Sequence, residues 1–95
     1  MSIVIVGGNE GMIHQYKKLC RDYKFKAKIY PKMSGGLKNI GVPDLLVLFT
    51  DTVSHKMVKC ALSEVKGQNL RIARSHSSSM RALRDILEEH TRQFN

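Results

Sequence analysis

Val47-Leu48-Phe49-Thr50-Asp51-Thr52-Val53-Ser54-His55-Lys56 is an apolar run that stops at a polar, hydroxyl-rich corner and then opens a helix. With Leu45 and Leu46 ahead of it the run is apolar on both faces, which predicts a strand in the middle of a sheet. Past the corner, Met57, Val58, Ala61, Leu62 and Val65 recur at helical spacing from near Ser54 until Gly67 stops the pattern. Cys60 lies beside that stripe. Alternation of strands and helices of this kind predicts a parallel sheet with helices on its faces.

The chain on either side fits the same plan. Ser2-Ile3-Val4-Ile5-Val6 is a second two-faced apolar run, closed by Gly7-Gly8, and reads as another central strand. Met12, Ile13, Tyr16, Leu19, Cys20 and Tyr23 then form a helical stripe. Phe25-Lys26-Ala27-Lys28-Ile29 alternates apolar with basic, as an edge strand with one solvated face does, and its lysines discourage edge-to-edge pairing. Residues 30–42, with Pro31, Ser34, Gly35, Gly36 and Gly41, read as a loop with one helical turn near Leu37-Lys38-Asn39-Ile40. Leu70-Arg71-Ile72-Ala73-Arg74 reads as the second edge strand. Ser75-His76-Ser77-Ser78-Ser79 supplies a loop and a hydroxyl cap, and Met80, Leu83, Ile86, Leu87 and His90 carry the last helix. The order β-α-β-β-α-β-α predicts an α/β fold. It is one domain, residues 1–95, with a four-stranded parallel sheet of order 2-1-3-4 and helices on both faces, a Rossmann-like or flavodoxin-like half.

Ninety-five residues suffice for one core and not for two. Cys20 and Cys60 form neither a disulfide framework nor a Cys-x-x-Cys pair, and no apolar run approaches membrane-spanning length, so a soluble, cytoplasmic protein is expected. The net charge of +8 is lopsided: residues 1–43 hold eight bases and only Glu10 and Asp22 as acids. Lys17, Lys18, Arg21, Lys24, Lys26 and Lys28 are accordingly the candidates for sequence-indifferent nucleic-acid binding, against the plainer reading of a solubilising face. Homodimerisation stays open, with the lysine-lined strand disfavoured as its interface.

In such a sheet the ligand crevice lies beyond the carboxyl ends of the strands, where the strand order reverses between strands 1 and 3. Gly7-Gly8-Asn9, Gly35-Gly36, Asp51 with Ser54-His55, and Arg74-Ser75 with Ser78 all follow strands there, and make the candidate ligand site. Glycines let backbone approach a ligand, and helix starts attract anions. The competing reading is strong, because serines before helices are common caps and Gly-Gly is a common turn. Asp51, Ser54 and His55 do not make a hydrolase triad, since adjacent Ser and His at a helix start point apart. No catalytic residue is assigned, an enzyme is the less favoured reading, and no cofactor is specified. His14, His55 and Cys60 have no metal-ligand spacing, although haem held by one exposed histidine needs none.

The Val6-Gly7-Gly8 strand end, the Gly35-Gly36 pair, Val53-Ser54-His55, Lys59-Cys60, and Arg74-Ser75 with Ser77-Ser78-Ser79 together resemble the bacterial domain-of-unknown-function family 2325 over nearly the whole chain. The resemblance implies the Rossmann-like arrangement and strengthens Ser54 and His55 as site residues. Family members often carry a histidine before the second glycine pair, where this chain has Lys32-Met33-Ser34, and that departure speaks against a shared histidine-based metal or haem site. The expected function is a small-ligand-binding or regulatory module for an anion or nucleotide-like molecule. The alternatives are nucleic-acid binding through the basic region, and haem or metal binding through His55 with His14 or Cys60.

Overall fold

The structure is a computed structural model that describes residues 1–32 and 40–94. Strands β1 (Ser2–Val6), β2 (Lys26–Tyr30), β3 (Leu45–Phe49) and β4 (Arg71–Ser75) form one parallel sheet of order β2-β1-β3-β4, the predicted 2-1-3-4. Helices α1 (Ile13–Asp22), α2 (His55–Glu64) and α3 (Met80–Phe94) follow β1, β3 and β4. A 3₁₀ turn, Glu10–Met12, leads into α1. Among the described residues no helix is long and apolar enough to cross a membrane.

The two apolar runs are the two central strands because only there are both faces of a strand covered. Ile3, Ile5, Leu45, Val47 and Phe49 pack with Tyr16, Leu19 and Cys20 of α1 and Leu83 and Leu87 of α3. Val4, Val6, Leu46 and Leu48 point the other way and pack with Met57, Ala61 and Val65 around α2. Burying each such side chain contributes roughly 1.5–3 kcal/mol, so the two-sided runs fix which strands are central. Ala27 and Ile29 of β2 share the α1–α3 face, whereas Lys26 and Lys28 pair in register with Ser2 and Val4 and lie, exposed, on the α2 face. The lysine alternation thus marks a true edge.

β2 and β4 each start one residue later than the alternation suggests. At β2 the reason is local: α1 closes with Phe25 N–H donating to Cys20 O (2.8 Å) and Lys24 N–H to Arg21 O (2.9 Å). This paired closure puts Lys24 in the left-handed region, φ 65°, a place usually taken by glycine. Phe25, though outside the strand, is buried in the core with its ring 5.6 Å from that of His90. His90 itself is only 2% exposed, as its place on the α3 stripe implies.

Candidate functional site

The glycines after β1 are there for close packing. Gly7 and Gly8 both have positive φ, 98° and 97°. A side chain on Gly7 would meet Val53 Cγ1 at 2.6 Å and Phe49 O at 2.9 Å, and one on Gly8 would meet the Tyr16 ring at 2.9 Å. The close approach that glycine allows is therefore made to this chain's own β3 corner. Gly8 N–H donates to Thr52 Oγ1 (2.7 Å), and that hydroxyl donates to Phe49 O (3.2 Å), so β1 and β3 are tied just past their last residues.

The tie extends to β4 through a core residue. Tyr16 is fully buried, and its hydroxyl accepts from Asn9 N–H (3.2 Å) while donating to Ser78 O (2.5 Å). A buried phenol needs such partners, and here they join the loops after β1 and β4. Asp51 Oδ2 accepts from both the hydroxyl (3.1 Å) and the N–H (3.3 Å) of Ser78, joining the loops after β3 and β4. Thr50 Oγ1 lies 3.0 Å from His76 Nδ1 beside the same junction.

The predicted site residues divide by what they already hold. Asn9 caps the 3₁₀ turn through Gly11 N–H (2.9 Å), and Ser54 caps α2 through Met57 N–H (3.2 Å). Ser75 closes on Ser77, donating to its carbonyl (2.8 Å) and accepting from its N–H (3.1 Å). Ser79 caps α3 through Ala82 N–H (3.1 Å). Asp51 is engaged by Ser78, not by His55. His55 and Lys56, in the first turn of α2, and Arg74 and His76, at the end of β4, are exposed around this hydrogen-bonded rim. Glu10 and Lys32 cross from the β1 loop to the β2 loop at 2.9 Å. Gly35 and Gly36 lie outside the described residues, as do Leu37, Lys38 and Asn39 of the expected helical turn.

Thr52 and Tyr16 are the site-forming residues that the sequence reading passed over. Thr52 stood in the quoted corner as one hydroxyl among several, and Tyr16 on the apolar stripe as core. The signal available was that a tyrosine on a buried stripe must find a partner for its hydroxyl.

The other two candidate sets are spread out. Lys17, Lys18 and Arg21 are exposed on α1, on one side of the sheet, while Lys26 and Lys28 lie on the other, with exposed Lys24 between. His14 is on α1, across the sheet from His55 and Cys60 of α2. Those two, five residues apart, sit roughly 140° apart around the helix. Among the described residues no three His, Cys, Asp or Glu side chains group as ligands for a metal ion. Burial pushes the Cys20 thiol up to about 11, so it stays protonated at neutral pH and acts as core.

No curated protein matches the chain, and no solved structure does. A family model does, over residues 2–90, and the chain belongs to that family, the uncharacterized proteins conserved in bacteria designated domain of unknown function 2325.

Proposed function

We propose that the protein is a cytoplasmic ligand-binding or regulatory module that holds a small anion or nucleotide-like molecule beyond the carboxyl ends of β1 and β3. One observation carries this reading. The loops after β1, β3 and β4 are bound to one another through Thr52, Tyr16, Asp51 and Ser78, and basic side chains of His55, Lys56, Arg74 and His76 stand exposed around them. Loops already held in place lose little further freedom when a ligand arrives. The start of α2 adds the partial positive charge of a helix N-terminus, and Ser54 secures it. The reading assigns binding, not turnover.

The test is thermal unfolding of the full chain with inorganic phosphate, AMP and ATP, repeated with His55→Ala and Arg74→Ala. A ligand present at about a hundred times its Kd stabilises by about 2.7 kcal/mol, a rise of roughly 10–20 °C for a domain this size. That rise, reduced in both variants, is expected. No response to any of the three, or equal responses in all proteins, overturns the reading.

Nucleic-acid binding is a second reading, favoured by the exposure of Lys17, Lys18, Arg21, Lys24, Lys26 and Lys28, none of them in an ion pair among the described residues. It requires affinity for DNA or RNA of any sequence that falls steeply with salt. A flat response at low salt removes it.

A further inference from the structure

Beside β4, sharing Arg74 with the rim just described, a crevice of about 220 Å³ opens against α3. Leu45, Arg71, Ala73, Ile86, Glu89 and His90 line it, and Ile72 and Arg74 border it from β4. Its volume is below the roughly 300–1,000 Å³ of pockets for drug-sized ligands, which limits an occupant to a small metabolite. Ala73, in register with core residue Val47 on the α3 face, and Ile86 both pack against the core and line the opening, where Ala73 presents only a methyl group.

Its charges are arranged unusually. Arg71 is half-buried and Glu89 exposed, and among the described residues neither side chain makes a hydrogen bond or an ion pair. Arg71 and Glu89 therefore line one small crevice on the α3 face without meeting each other, while Arg74, which also borders it, is exposed and in register with Leu48 of the α2 face. A purely anionic ligand would satisfy Arg71 and face the Glu89 carboxylate, and a purely cationic one would do the reverse. A molecule carrying both charges satisfies both walls. The guanidinium fork suits a carboxylate in particular, because two parallel N–H groups match its two oxygens. Between the charges the lining is aliphatic: Leu45, Ala73 and Ile86.

We propose that this crevice binds a small zwitterionic amino acid, its carboxylate against Arg71, its ammonium toward Glu89 and its aliphatic side chain over Ala73 and Ile86. His90, buried in the crevice wall next to the Phe25 ring, is the natural reporter of occupancy.

The experiment follows the His90 ring resonances of the full chain by NMR during titration with L-valine, with isobutyrate and isobutylamine as probes carrying one charge each. Saturable shifts with valine are expected, with at least tenfold weaker binding of either single-charge probe. Glu89→Gln, an exposed change on α3 that leaves packing intact, should weaken valine at least tenfold, and Ala73→Leu should abolish binding by filling the crevice. Should Ala73→Leu fail to fold, Glu89→Gln decides. Absence of any saturable shift overturns the proposal. So does isobutyrate binding as tightly as valine, which would make the crevice a plain anion site, or a Glu89→Gln variant that binds valine like the parent chain. The readout at His90 does not depend on whether an anion binds near His55.

Discussion

The two ends of the sheet are closed by different means. At the amino end one residue does most of the joining: Asp44 accepts from Ser2 N–H through its carboxylate (2.7 Å), donates its own N–H to Ser2 O (2.9 Å) and accepts from Arg71 N–H (3.3 Å). The two backbone bonds continue the strand ladders, and the carboxylate adds a side-chain tie. At the carboxyl end the loops are joined by side-chain hydroxyls and a carboxylate, from Thr52, Tyr16, Ser78 and Asp51, across gaps of up to 62 residues in the chain. Backbone bonds extend the ladders at both ends, at the carboxyl end from Gly7 N–H to Tyr30 O and from Thr50 N–H to Ser75 O (2.8 Å each), but only at the carboxyl end does a side-chain network join three loops above them. Side chains there can be exchanged without breaking a ladder, which is what a binding site on a constant scaffold needs.

The comparison is broken most sharply at Gly7. Gly7→Ala puts a methyl group within 2.6–2.9 Å of Val53, Thr52 and the Phe49 carbonyl at a φ of 98°. Left-handed strain of about 1–2 kcal/mol and overpacking of about 1–3 kcal/mol predict a loss of roughly 2–5 kcal/mol, read from the urea midpoint. Tyr16→Phe tests the same end more gently. It removes the partner of the Ser78 carbonyl and of the Asn9 N–H, and should cost about 1–3 kcal/mol while the ring's packing against Phe49 persists. If Tyr16→Phe were neutral, the loops would not be held together as described.

The amino end should respond in the opposite direction. Lys24→Gly relieves a left-handed residue at the close of α1 and is expected to stabilise by about 1 kcal/mol, measured in the same denaturant series. The smallest effect is a pH slope from His90. Burial holds its pKa below the ordinary value, helped by the Arg71 charge and opposed by Asp44. The unfolded chain therefore takes up this proton near pH 6.5 while the folded chain does not, so stability falls as pH drops below about 6.5 and levels off below the folded pKa. His90→Leu should flatten that part of the profile.

The scaffold was legible because its causes are local. Val, Ile and Leu on both faces of residues 3–6 and 45–49 require cover on both sides, and lysine at alternate positions of β2 requires an edge. The site was legible only in part. Ser54, Asp51 and Ser78 were picked out as polar residues at the right edge, but what they bond could not be read, because the partners are brought together by the sheet. The sequence reads Gly7-Gly8 as a turn or as backbone that approaches a ligand; the close neighbours in the fold are Val53, Thr52, Phe49 and Tyr16. Lys24 gave no sign of its conformation, since lysine is not a residue that marks a left-handed helix end. Asp44 closes the amino end through partners at Ser2 and Arg71 that its place ahead of β3 in the sequence does not reveal.

The central claim is that the construction at the carboxyl end holds a small anion beside His55. Native mass spectrometry of the purified chain and of His55→Ala, with an absorption spectrum of each, tests it most directly. The account predicts a retained anionic mass of metabolite size on the parent chain, lost or strongly reduced in the variant, and no Soret band in either. A bare chain mass for both proteins, or the same adduct on both, would contradict it.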